Sequence, residues 1–292
     1  MAEQNRNMTD EALSQQLRRS RGGKWGGKLL SLLGVAIAVA GILLGGNLVL
    51  IVLGGIVLAL GQAVQSRSKE QAGQQTFDAM APDIAGTVLE NVQMNPTPPL
   101  LNAEDTNIPL PRHTYCSGSG YIRGVYRGST TELCTIKLTE EDEFLREETG
   151  LWEKNEREVY TGQWLLCQLN REFPTWLTIW SRGTLDKLSG GKTIKTGSEA
   201  FDKRFLLTGG DEAAVLRILT PNRLERLLAL SNASFGKFAV NLDPDGRLYL
   251  AVHSGRGFFQ IGKGRENPAQ LRERFVRELT WFTDMIDVFR SV

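Results

Sequence analysis

Histidine is almost missing from this chain. In 292 residues there are two, His113 and His253, and that scarcity removes most Ser/His, Cys/His and histidine–metal mechanisms. Cysteine is nearly as rare. Cys116, Cys134 and Cys167 are odd in number and widely spaced, which suits reduced cytosolic thiols and neither a disulfide framework nor a zinc site. Charge of one sign is also lacking: the formal net charge is +1, so no overall basicity points to nucleic acid. Phosphate-binding loops are missing as well. Ser189-Gly190-Gly191-Lys192-Thr193 has the tail of G-x-x-x-x-G-K-[ST], but Asp186 stands where the first glycine belongs and would repel phosphate. Gly118-x-Gly120 continues to Gly124, one residue late for a dinucleotide fingerprint. No cofactor and no metal are expected.

What is present in abundance is apolar sequence near the start. Leu29 to Val64 is one nearly continuous apolar run, broken at Gly45-Gly46-Asn47. A membrane-crossing helix takes roughly 20 apolar residues, so the run is too long for one span and suits two short ones, about Leu29–Leu44 and Leu48–Val64. It is far longer than the apolar region of a signal peptide. Two helices apolar all round would also need a larger protein to cover them. No residue of either span is ionisable, so the hairpin reads as an anchor and not as an ion pathway. Gly41 and Gly45 form a small-xxx-small pair, with Gly34, Gly54, Gly55 and Gly61 as further positions of close helix approach.

Arg18, Arg19, Arg21, Lys24 and Lys28 precede the run, and Arg67 and Lys69 follow it. Positive charge at both outer ends predicts that both termini face the cytoplasm. Arg18, Arg19, Arg21, Lys24 and Lys28, with Trp25 as an aromatic anchor, form the expected membrane interface. The expected partners are the lipid bilayer and a protein partner or a second copy of the chain, with no nucleic acid.

Four segments follow from this reading: a polar and basic segment 1–28, the hairpin 29–64, a juxtamembrane helix and Pro-rich linker 65–111, and a soluble domain 112–292. Phe77, Met80, Ile84, Val88 and Val92 have helical spacing, with Pro82 set to kink the helix or reset its start. Strands are predicted at Gly120–Arg127, Thr131–Leu138, Glu158–Leu169 and Trp176–Ser181. The acidic Glu140–Glu148 reads as a helix with a solvated face, and Phe201–Thr208 as short and mixed. Asp211–Leu219 and a helix opened by Thr220-Pro221 precede a hairpin, Phe238–Leu242 and Arg247–Val252, turned at Asp243-Pro244-Asp245-Gly246. A last helix opens at Asn267-Pro268, with Leu271, Phe275, Leu279, Phe282, Ile286 and Phe289 on one stripe. The class is α+β: the transmembrane hairpin, then a mostly antiparallel sheet closed by a C-terminal packing helix.

Within the domain, Trp164, Trp176 and Trp180 are the candidate ligand or partner contacts. Trp176 and Trp180 have even spacing and share a face if both lie in a strand. Glu199, Asp202, Lys203 and Arg204 are a dense polar group and the one candidate for hydrolase chemistry.

Tyr160–Phe173, Thr196–Phe205, Leu219–Leu228 and Leu248–Val252, in that order and spacing, resemble the domain-of-unknown-function family thirty-one thirty-seven, and Gly124–Gly128 resembles its first strand. The resemblance spans about Gly120–Arg290. It implies a bacterial membrane protein with apolar N-terminal spans and an α+β domain, and it supplies no catalytic residue. The expected function is that of a membrane-anchored, non-enzymatic protein of the bacterial inner membrane whose cytoplasmic domain binds a protein partner. A ligand-binding sensor with an aromatic-lined pocket is the alternative, followed by a membrane-bound hydrolase.

Overall fold

The computed structural model describes residues 29–40, 42–43, 49, 52–60, 77, 80–146, 151–183, 192–260 and 266–290. They divide between two compact units, Met1–Ala81 with Phe259–Glu273, and Pro82–Phe258 with Arg274–Val292.

In the first unit, residues 29–40 and 52–60 are helical, and glycine decides how closely they approach. A Cβ on Gly34 would stand 2.6 Å from Leu58 N and 2.7 Å from Gly54 O. One on Gly54 would stand 2.6 Å from Ala38 N and 2.7 Å from Gly34 O. The two backbones therefore touch at a reciprocal glycine pair that admits no side chain. Leu32, Leu33, Ile42, Val52 and Ile56 lie on the outside of this pair, each more than half exposed. Among the described residues no helix is long and apolar enough to cross a membrane. The rest of the Leu29–Val64 run and the basic residues Arg18, Arg19, Arg21, Lys24 and Lys28, with Trp25, lie outside the described residues.

The second unit is built on one eight-stranded, wholly antiparallel sheet. Its strands are β1 (Glu90–Met94), β2 (Tyr115–Tyr126), β3 (Ser129–Arg146), β4 (Leu151–Gln168), β5 (Leu177–Ser181), β6 (Phe205–Gly209), β7 (Lys237–Leu242) and β8 (Arg247–His253), in the spatial order β1-β2-β3-β4-β8-β7-β5-β6. Four helices accompany it: α1 (Glu199–Arg204), α2 (Glu212–Ile218), α3 (Pro221–Ala233) and α4 (Pro268–Arg290).

The caps are those the sequence advertises. Thr220 accepts from Arg223 N with Pro221 in the first turn of α3. Asp211 accepts from Ala214 N at the start of α2. Asn267 and Gln270 exchange bonds of 2.8 and 3.0 Å as a capping box at the start of α4.

Strand register sorts the core into two faces. Leu133, Leu165, Leu250, Val240, Ile179 and Leu207 face one another across six strands, all buried. α4 packs on this face: Phe238 meets Trp281 edge-on at 5.2 Å, and Gln163 donates to Glu278 at 2.8 Å. α3 is tied to α4 in turn, with Trp281 Nε1 donating to Leu230 O and Arg223 Nε to Val288 O.

One residue along each strand lies the row of the other face: Cys134, Trp164, Ala251, Ala239, Trp180 and Leu206. The Pro-rich connector covers this side with Leu101, Ala103 and Ile108. The connector is pinned by a buried carboxylate. Glu132 Oε1 accepts from Leu100 N and Leu101 N at 2.7 and 2.8 Å, while Oε2 takes Arg123 Nε at 2.8 Å and its terminal nitrogen at 2.6 Å. Arg123 also donates to Pro98 O at 2.7 Å.

Two local expectations are corrected. The acidic stretch is strand and not helix over its described residues 140–146. β3 and β4 stay in register out to Arg146 and Leu151, and cross-strand ion pairs from Glu140 to Arg157 (2.6 Å) and Glu141 to Lys154 (2.7 Å) accommodate the carboxylates. The helix expected through Val92 ends earlier. Residues 80–86 are helical, but Val92 belongs to β1, paired with β2. Pairing with the sheet edge overrides helical periodicity there.

Candidate functional site

The row Trp164–Ala251–Ala239–Trp180 sets two indoles either side of two methyl groups. The small residues leave room above the sheet between the large ones, and a pocket of about 30 Å³ opens there, lined by Tyr160, Trp180, Lys237, Ala239, Ala251 and His253. That volume holds one or two waters.

Its walls are firmly placed. Tyr160, Gly162 and Trp164 lie on one face of β4, and the Tyr160 ring runs along the strand over Gly162. A Cβ on Gly162 would meet the Tyr160 hydroxyl at 2.2 Å and Val252 O at 2.7 Å. Trp164 Nε1 donates to that hydroxyl at 2.9 Å. Burial raises the Tyr160 phenol well above its ordinary range. The Tyr160 ring packs on His253 with centroids 4.8 Å apart. Burial, and then the charge of Lys237, lower the His253 pKa and so favour the neutral imidazole. Trp180 Nε1 is buried and has no hydrogen-bond partner, which leaves a donor next to the pocket.

Of the three tryptophans singled out from the sequence, Trp180 lines the pocket, Trp164 is wholly buried behind it, and neither reaches solvent. Trp176 precedes β5 and is half-buried elsewhere, its carbonyl accepting from Gly210 N. The three do not converge. Tyr160, His253 and Lys237 complete the pocket and were not read from the sequence as site residues. The period-two run Tyr160-x-Gly162-x-Trp164 was the signal that could have found the first of them.

The polar group proposed for hydrolysis is engaged locally. Asp202 accepts from Thr196 N and Oγ1 at 3.2 and 3.1 Å, Glu199 pairs with Lys203 at 2.7 Å, and Arg204 donates to Asn232 at 2.5 Å. His113 sits between Pro111 O and Glu104. Burial raises all three thiols, Cys134 most clearly. Among the described residues no group of histidine, cysteine and carboxylate has the makings of a metal site.

A second feature is shape. β2 pairs with β3 as far as Thr139, and β8 pairs with β4 from Gln163 to Gln168. Beyond those points Glu140–Arg146 and Leu151–Arg157 pair with each other alone. The result is a two-stranded ribbon projecting from the sheet. Arg157 bonds Glu140, while Lys154 bridges Glu141 and Glu143 across it.

The family model described as "Protein of unknown function (DUF3137)" matches residues 158–290, which run from within β4 to the end of α4. The sequence resemblance to that family holds over this stretch. A solved structure, the crystal structure of the mycobacterial trehalose monomycolate transport factor A, TtfA, is similar at 12% identity and a TM-score of 0.32, over 60% of this chain and 75% of that one. At that score nothing passes from one protein to the other. No curated protein matches the chain.

Proposed function

We propose that this is a membrane-anchored, non-enzymatic binding protein. An N-terminal helical hairpin holds the sheet domain at the cytoplasmic face of a bacterial inner membrane, and the domain binds a protein partner.

One observation carries the anchoring half: two apolar helices in backbone contact at Gly34 and Gly54, with leucine, isoleucine and valine side chains turned outward. In water each exposed large apolar side chain forgoes about 1.5–3 kcal/mol of burial. In lipid such side chains are at home, and small residues at a helix contact are what draws helices together there. The uncharged run from Leu29 to Val64 supplies more apolar length than the described helices alone.

The ribbon beyond Thr139 supports the binding half. Past Glu141, whose N–H is taken by Thr114 Oγ1, the outer edges pair with no other strand and offer backbone donors and acceptors to another chain. Its cross-strand charges discourage indiscriminate edge pairing while leaving room for a charge-matched partner. The pocket beside Trp180 is too small for a metabolite, which counts against the sensor reading. Asp202 and Glu199 are occupied by local bonds, which counts against hydrolysis.

Alkaline carbonate extraction and paired reporters fused after Val292 test the anchor. The chain is expected in the membrane pellet, with the cytoplasmic reporter active. Release into the supernatant overturns the anchor. Photocrosslinkers at Glu143 and Lys154 in intact cells test the partner, and a single discrete adduct is expected. Absence of any adduct removes the binding half.

A further inference from the structure

The antiparallel register that lines up two indoles also lines up positive charge. Just past β5, Arg182 donates its backbone N–H to Arg204 O at 2.9 Å, which extends the β5–β6 pairing by one step. The β5–β7 pairing ends at Trp180 and Ala239, beyond which Ser181 Oγ donates to Phe238 O and accepts from Phe238 N, both at 3.1 Å, and Lys237 opens β7. Lys237 is in turn paired with His253. Arg204, Arg182 and Lys237 thus stand at the ends of β6, β5 and β7, which are neighbours in the sheet.

These residues surround a cleft. Arg182, Lys203, Arg204 and Lys237 line a space of about 420 Å³, together with the hydroxyl-bearing Ser231 and Ser234. No carboxylate lines it among the described residues. Helix-end placement accounts for Lys203 and Arg204, since cations suit a helix C-terminus. It does not account for Arg182 or Lys237, which come from strand ends. Arg182 and Arg204 are tethered to neutral groups, through Asp202 O at 3.0 Å and Asn232 Oδ1 at 2.5 Å. Those bonds aim the stems without cancelling the charge. Lys203 pairs with the exposed Glu199. Lys237 also bears on its neighbour, since its charge adds to burial in lowering the His253 pKa.

We propose that this cleft binds a phosphate-bearing ligand, held by Arg182, Arg204 and Lys237, with Lys203 and the two serines at its wall. Two guanidinium forks match phosphate oxygens in pairs, and a lysine adds a point charge. The volume is that of a ligand site and exceeds what a lone ion requires. The phosphate belongs either to an anionic lipid headgroup or to a water-soluble ester. The cleft does not depend on the anchoring reading, because a soluble ester would bind whether or not the hairpin enters a bilayer.

The test uses the full chain in non-ionic detergent micelles. One arm titrates glycerol 3-phosphate by calorimetry. The other adds phosphatidylglycerol, or phosphatidylcholine as control, and follows amide exchange at Arg182, Arg204 and Lys237. Saturable binding of glycerol 3-phosphate identifies a soluble ester, and protection by phosphatidylglycerol alone identifies a headgroup; either supports the proposal. Arg182→Gln with Arg204→Gln is expected to weaken binding about tenfold or more. Lys237→Gln, at an exposed position, is expected to weaken it severalfold while leaving the circular dichroism unchanged, which guards against a variant that fails to fold. No saturation below about 10 mM in either arm, or full binding by a folded Lys237→Gln together with a folded double variant, overturns the proposal.

Discussion

Glu132→Gln isolates the clamp between connector and sheet. The native carboxylate is fully buried and takes four bonds, two from the Leu100 and Leu101 amides and two from Arg123. An amide at the same place keeps one acceptor oxygen. If that oxygen serves the two backbone amides, its NH₂ is turned on a guanidinium that can only donate. Removing one partner of a buried ion pair costs about 3–5 kcal/mol. The Arg123 side chain is 21% exposed, so water relieves part of its loss and the lower end, about 3 kcal/mol, is expected. The loss falls on the connector first whichever way the amide turns: its NH₂ faces either the Leu100 and Leu101 amides or Arg123, which itself holds Pro98 O. Native-state hydrogen exchange reads this directly: an opening free energy lower by about 3 kcal/mol raises the exchange of those two amides roughly a hundredfold. Exchange at β8 amides such as Leu250 should rise less. If Leu100 and Leu101 exchange as in the native chain while β8 exchanges faster, Glu132 is a sheet residue and not a clamp. A double variant, Glu132→Leu with Arg123→Met, should recover part of the loss, since apolar replacement of a buried pair is often neutral.

Gly162→Ala should cost about 2 kcal/mol, because the new methyl displaces the Tyr160 ring and breaks its bond to Trp164; urea denaturation gives the cost and tryptophan emission the lost bond. Gly34→Leu should unseat the helix pair, since the clash is with backbone, and a Gly34→Leu chain whose helices 29–40 and 52–60 show native amide exchange would contradict the packing. His253 has a lowered pKa, so its contribution to stability is complete above the unfolded value of 6.5 and is lost as pH falls below it. His253→Gln should flatten the stability-versus-pH curve between 6.5 and the lower native pKa. Cys134 and Cys167, buried and with raised thiol pKa values, should resist iodoacetamide at neutral pH until the chain unfolds, with mass spectrometry counting the adducts.

The strands, caps and closing helix were legible because each leaves a local mark. Asp243-Pro244-Asp245-Gly246 names its turn, Thr220-Pro221 its helix start, and the stripe from Leu271 to Phe289 its buried face. Strand order was not legible: β4 meets β8, and β5 lies between β6 and β7, by pairings that no local pattern encodes. The acidic residues of β3 misled because carboxylates favour strand poorly, and their partners on β4 are recognisable only once the register is known. Trp164 and Trp180 were rightly placed on strands, but the alanines between them and the arginines beyond them become neighbours through register alone.

The seam between β4 and β8 shapes how this sheet assembles. β2, β3 and β4 follow one another in the chain and can pair as they leave the ribosome, whereas Gln163 and Val252 meet only after about ninety further residues have been made. Until then β4 waits with one edge open, next to the Tyr160–Trp164 stretch. The β4–β8 pairing spans the largest sequence separation of any strand pair in the sheet, and it leaves the β4 edge open until β8 arrives. A β7–β8 hairpin supplied in trans would meet the same β4 edge in the same register, so exchange of that hairpin between copies is the misassembly this register would allow.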